Sequence, residues 1–160
     1  MRIGSIIENQ KLEKRIAVTP EIVKKYTSLG FEVCLSENYG SHLGIKDEIY
    51  SELGVKIIKD DSHILNSSDI IVQLGMLSDD NISYVKENQT LIGVFDIYNN
   101  KEKLGNLAKK NINLFSLELL PRITRAQAMD ILSSQANLAG YKAVIESFAN
   151  FEKAVPMMMT

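Results

Sequence analysis

A single cysteine, Cys34, in 160 residues leaves no partner for an intramolecular disulfide and no thiolate cluster for zinc. It alternates with apolar neighbours and reads as a small core residue. Cysteine this sparse fits a reducing compartment. Basic charge is not in excess either: 18 Lys and Arg against 20 Asp and Glu give −2. Without a basic excess or stripe there is no footprint for nucleic acid. No apolar run approaches the ~18 residues of a membrane-crossing helix, and MRIGSIIENQ lacks the apolar middle of a secretion signal. A cytoplasmic protein is therefore expected, with any membrane role supplied by a partner. The nine glycines are scattered singly. Neither G-x-G-x-x-G after a strand nor G-x-x-x-x-G-K-[ST] occurs, so no phosphate-cradling loop is present. HExxH, paired His/Cys spacing and G-x-S-x-G are also missing, which leaves metal-dependent and serine-nucleophile chemistry without support.

What remains is an ordinary globular composition, 45% apolar and 24% charged, at a length that suits one domain. Short apolar runs alternate with helical patterns. Arg2–Ile7 reads as a strand. Thr19, Pro20 and Glu21 start a helix with a capping hydroxyl, a proline in the first turn and an acid beside it, and Gly30 closes it. Strands are expected at Glu32–Ser36, Val55–Ile58, Asp69–Leu74, Thr90–Phe95 and Asn113–Leu119. Helices are expected at Asp47–Leu53, Asp60–Asn66, Asp79–Lys86 and Asn100–Lys110, the last with Leu104, Leu107 and Ala108 inward. The runs at 69–74 and 90–95 have the continuous apolar pattern of strands buried on both faces. A long final helix is expected from Arg125 to about Phe151. This alternation predicts an α/β fold: an open, mostly parallel, doubly wound sheet of the Rossmann/flavodoxin-like kind, ending in a long helix. Residues 1–160 read as a single domain.

Most titratable residues have ordinary readings. His63 lies in a polar turn, and His42 sits in a loop beside Gly44. The unusual stretch is 118–141. Two of the four arginines, Arg122 and Arg125, fall there within four residues. In a chain that otherwise favours lysine, a retained arginine marks a place where a planar, bidentate group is needed. Read as one helix, Gln127, Asp130, Ser134, Asn137 and Tyr141 step by 3, 4, 3 and 4 onto one stripe, with Ser133 at its edge. The stripe reads either as the watered face of an amphipathic helix or as a half-buried recognition surface. Its short amides and hydroxyls, without lysine before Lys142, favour recognition of a neutral, hydrogen-bonding ligand such as a carboxamide. Asp130 would then orient Gln127 or Arg125.

The run LPRITRAQAMDILSSQANLAGYKAV at 120–144 resembles the signature of the alpha subunit of proton-translocating NAD(P) transhydrogenases. The tail Pro156-Met-Met-Met-Thr160 resembles the same family, and Arg15-Ile-Ala-Val-Thr-Pro20 is similar to an opening motif shared with alanine dehydrogenases. The resemblance implies a hydride-transfer subunit, with NAD(H) on this side and NADP(H) on a partner domain. It implies a homodimer of alpha subunits, and membrane-embedded subunits that hold it at the inner face of the membrane and carry the proton coupling. Carried over, the nicotinamide-side residues are Arg122, Gln127, Asp130 and Ser133, with Gln127 and Asp130 nearest the chemistry, and no metal. Asn137 and Tyr141 would support them.

Alanine dehydrogenases use a lysine and a histidine whose positions fall near Gly75 and Asp96, and neither matches. The chain also departs from the family at Gln73-Leu-Gly-Met-Leu77, where Lys-Val-x-x-Pro is expected. In the family a glycine-rich domain follows Met-Met-Met-Thr and binds most of the NAD; none of it occurs here. The 160 residues are therefore expected to be the first domain of a longer subunit, a truncated gene product or a fragment, inactive alone, with 125–151 as a domain-crossing helix that packs with Val155–Met159 across the junction. The alternative is a free-standing, non-catalytic module that keeps the fold.

Overall fold

In the first turn of the first helix, Thr19 Oγ1 accepts the N–H of Ile22 and Pro20 fills a position that needs no donor. That helix, α1, covers Pro20–Ser28, and Gly30 leaves it at φ +82°. The computed structural model describes residues 1–154, so the Pro156–Thr160 motif and the apolar run Val155–Met159 lie outside the described residues. The strands are β1 (Arg2–Ser5), β2 (Glu32–Ser36), β3 (Lys56–Ile58), β4 (Ile70–Val72), β5 (Thr90–Gly93) and β6 (Asn113–Ser116). Between them run α2 (Asp47–Glu52), α3 (Asp61–Ser67), α4 (Asp79–Tyr84) and α5 (Lys101–Lys109). The chain separates into two compact units, residues 1–119 and the residues from Leu120 onward.

The first unit is the doubly wound sheet the alternation predicts. Strand order is β3-β2-β1-β4-β5-β6, and each neighbouring pair is parallel. Successive side chains of a strand point to opposite faces, so β2 sends Val33 and Leu35 to one core and Cys34 to the other. The Val33–Leu35 core holds Val18, Val23, Tyr39 and Tyr50, from α1, α2 and their loops. The Cys34 core holds Ile64 and Leu65 of α3, Ile82 of α4 and Leu107 of α5, over Ile71 and Leu91 of the central strands. Cys34 is a buried core residue with a free thiol, as its alternation implies.

The structure trims several expectations. β4 and β5 are shorter than the apolar runs that suggested them, and Ile70, Val72, Thr90 and Ile92 are only half-buried. β6 ends at Ser116 and turns through a 3-10 segment, Leu117–Leu119. On α5 Leu107 is buried, Leu104 is half-buried and Ala108 is exposed.

The second unit departs more. In place of one helix from Arg125 to about Phe151, a 3-10 segment at Thr124–Met129 is followed by α6, Ile131–Ala149. The break falls at Asp130, at φ −74° and ψ 93°, whose side chain accepts from the N–H groups of Leu132 and Ser133. A short carboxylate competes with the helix for its own backbone donors, so aspartate favours the cap over the interior.

Candidate functional site

That break makes a recess. Arg122, Ile123, Thr124, Gln127, Asp130 and Ser133 line a cavity of about 260 Å³. All four residues carried over from the resemblance, Arg122, Gln127, Asp130 and Ser133, meet in it. Ser134, Asn137 and Tyr141 do not line it. A continuous helix would put those three on Gln127's face; the 3-10 segment and the extended Asp130 remove Gln127 from that stripe, and Ser133 takes the place that spacing gave to Ser134.

Asp130 holds the recess together. Its Oδ1 accepts from the backbone of Leu132 and Ser133, each at 3.0 Å, and its Oδ2 accepts from Ser133 Oγ at 2.6 Å. The Ser133 hydroxyl, the Ser133 and Leu132 N–H groups and the Arg122 charge hold the carboxyl below its ordinary value, and they outweigh the opposing effect of burial. The expected partnership with Gln127 or Arg125 is replaced by this cap, because the N–H groups of the helix start are nearer and fixed. The backbone still ties the two segments, with Asp130 N donating to Gln127 O at 3.3 Å. The result is a rim of planar guanidinium donors, a carboxamide that both donates and accepts, a fixed carboxylate and a hydroxyl. No group of His, Cys, Asp and Glu that could hold a metal occurs among the described residues.

A capping carboxylate with a depressed pKa makes a testable statement. Its contribution is complete above the ordinary aspartate value of 3.8 and is lost as pH falls through the lower folded value. In an NMR titration, the Leu132 and Ser133 amides are expected to move with a midpoint below 3.8. A midpoint at or above that value counts against the cap.

The other candidates are tied up structurally. His42 Nε2 lies 2.8 Å from Lys14 O and Nδ1 lies 3.3 Å from Gln10 Nε2, which fixes its loop. His63 is exposed on α3. Arg15 binds Glu13 through two nitrogens, at 2.8 and 2.6 Å, and that pairing raises the guanidinium's pKa and lowers the carboxyl's. Sequence reading missed a second polar cluster, Ser5, Glu8, Tyr39 and Gln73, at the C-terminal ends of β1 and β4. Its members lie up to 68 residues apart; the one available signal was Gln73 standing where the family pattern expects lysine. Burial pushes the Glu8 carboxyl up, against the lowering effect of the Leu74 and Gly75 N–H groups.

An all-parallel sheet in the order 3-2-1-4-5-6 defines a doubly wound α/β domain of the Rossmann kind. The chain belongs to the alanine dehydrogenase/PNT N-terminal domain family, whose sequence model matches residues 4–139. It is 39% identical to the first of the alpha-subunit polypeptides of the Rhodospirillum rubrum NAD(P) transhydrogenase, over 100% of this chain and 43% of that protein. The crystal structure of transhydrogenase from Sinorhizobium meliloti superposes with a TM-score of 0.89 at 38% identity, over 100% of this chain and 48% of the other. Alanine dehydrogenase 1 of Staphylococcus aureus is 24% identical, over 91% of this chain and 38% of that protein. The chain thus spans less than half the length of these relatives.

Proposed function

We propose that this chain is the N-terminal portion of an NAD(P) transhydrogenase alpha subunit, and that the recess at 122–133 forms one wall of its hydride-transfer site. The observation that carries this reading is the meeting of Arg122, Gln127, Asp130 and Ser133 in one cavity at the start of α6. The donor set suits the carboxamide end of a nicotinamide: Gln127 can donate to its oxygen and accept from its nitrogen, and Arg122 donates in a plane. The nicotinamides supply the hydride chemistry when bound. Direct transfer between two such rings releases no proton at the reacting carbons, so the residues here have no general acid or base to provide. Their work is to hold ring orientation and distance, with Asp130 and Ser133 fixing the rim. NAD(H) is bound mainly by a following domain and NADP(H) by a partner domain. The subunit dimerises and meets membrane-embedded subunits at the cytoplasmic face. No helix among the described residues is long and apolar enough to cross a membrane. Amino-acid dehydrogenation is disfavoured because Gly75 and Asp96 offer neither an amine nor an imidazole.

Exchanging residues 1–160 for the matching segment of the Rhodospirillum rubrum subunit tests the proposal. The chimera, assayed with its partner subunits, is expected to keep NADH-to-NADP⁺ hydride transfer within about tenfold, the cost of ~1.4 kcal/mol in the barrier. A folded chimera that binds NADH and transfers no hydride overturns it.

A further inference from the structure

β1 and β4 lie side by side at the centre of the sheet, and the chain leaves them in opposite directions, toward β2 and toward β5. In doubly wound sheets this switch point is where ligands sit, beyond the carboxyl ends of the strands. Here a cavity of about 430 Å³ opens at that place, with Ile6, Leu12, Met76 and Leu77 on its apolar side and Asn81 and Lys103 on its polar side. Glu8 and Gln73 of the polar cluster also line it.

The hydrogen bonds of that cluster have one direction. Tyr39 Oη accepts from the Ala17 and Val18 N–H groups, each at 3.2 Å, so its own proton goes to Ser5 Oγ at 2.8 Å. Ser5 Oγ then donates to Gln73 Oε1 at 3.0 Å, and Ile6 N donates to the same oxygen at 2.9 Å. With its oxygen so engaged, Gln73 must turn its NH₂ outward, to Ile6 O and to Glu8 Oε1, each at 3.3 Å. Gln73 is 4% exposed, so this orientation is fixed by burial as well as by partners. Leu74 N donates to the same Glu8 oxygen at 2.5 Å. The Gly75 N–H also acts on this carboxylate, and a Cβ at position 75 would stand 3.5 Å from Glu8 Oε2.

Backbone and amide donors thus converge on one half-buried carboxylate, in the manner of a ligand site. We propose that the switch point is a carboxylate-binding seat kept filled by the chain's own Glu8. The seat then refuses free carboxylates, and a small monocarboxylate enters once the Glu8 side chain is cut back. This inference does not depend on the transhydrogenase reading.

The test is chemical rescue. In Glu8→Ala, formate and acetate at about 100 mM are expected to raise Tm by several degrees over chloride at equal ionic strength, saturably, as for any ligand of the native state alone. The wild-type chain and Glu8→Gln, which still fills the seat, should respond no more to formate than to chloride. An equal response in wild type, or none in Glu8→Ala, overturns the proposal. If Glu8→Ala does not fold in chloride, the readout is refolding yield: recovery in formate supports the seat, and failure in both salts counts against it.

Discussion

Gln127→Ala, made in the chimeric subunit and assayed with its partners, is expected to slow hydride transfer by about 100-fold while NADH affinity falls by no more than about tenfold. The asymmetry follows from geometry. Gln127 is on the rim of the recess with Arg122, where, on the proposed function, it would orient one end of a ring whose bulk is held elsewhere. Losing one neutral hydrogen bond costs ~0.5–1.5 kcal/mol of binding. A reacting centre misplaced by about 1 Å loses about 10²-fold in rate. Single-turnover kinetics with NADH at saturation separates the two effects. Equal losses in rate and affinity would make Gln127 a plain binding contact. Gln127→Glu is a companion that keeps shape and acceptor, loses the donor and adds a negative charge beside Arg122 and Asp130.

Gly93→Ala is expected to be the most destabilising small substitution in the chain. A Cβ there would collide with the main-chain carbonyl of Gln73 and stand 2.8 Å from the ring of Phe95. Neither neighbour can yield. The Gln73 backbone is paired to β5 through Ile92 O at 3.0 Å, and Phe95 is 1% exposed. Overpacking typically costs ~1–3 kcal/mol, and a clash with paired backbone belongs at or above the top of that range. Gly105→Ala is the control of opposite sign. It lies within α5 with nothing inside 4 Å of the added carbon, so helix propensity alone stabilises it by ~0.8–1 kcal/mol. Urea denaturation of the two variants gives both signs. A Gly93→Ala loss below about 1 kcal/mol would show that the strand pair can spread.

The sheet was readable because local chemistry and burial agree. Thr19 and Pro20 start α1 as their residue types require, and Val33, Cys34 and Leu35 sort to opposite cores by strand alternation alone. The recess was readable in content but not in shape. Arg122, Gln127, Asp130 and Ser133, carried over from the family resemblance, all line it, yet the helical stripe through Gln127, Asp130, Ser134, Asn137 and Tyr141 is broken at Asp130. An aspartate at that spacing serves equally as a face residue or as a cap, and only the competition for the Leu132 and Ser133 N–H groups decides. Helical spacing places Ser134, Asn137 and Tyr141 on the wrong surface for that reason. The Glu8–Gln73 cluster was not readable, because its hydrogen bonds join strand ends far apart in sequence. No local period records such a contact.

The central place of β1 also bears on how the chain comes to be folded. Arg2–Ser5 leaves the ribosome before any partner strand exists. Its first neighbour, β2, pairs Ile3 with Val33, and its second, β4, pairs Ile3 with Ile70. At about 5–20 residues per second, the second partner emerges several seconds after β1 does. Such distant pairings also slow folding, since long loops must close before their contacts stabilise anything. Until then Arg2–Ser5 waits as an unpaired strand, and a chaperone that shields this segment during synthesis would raise the folded yield.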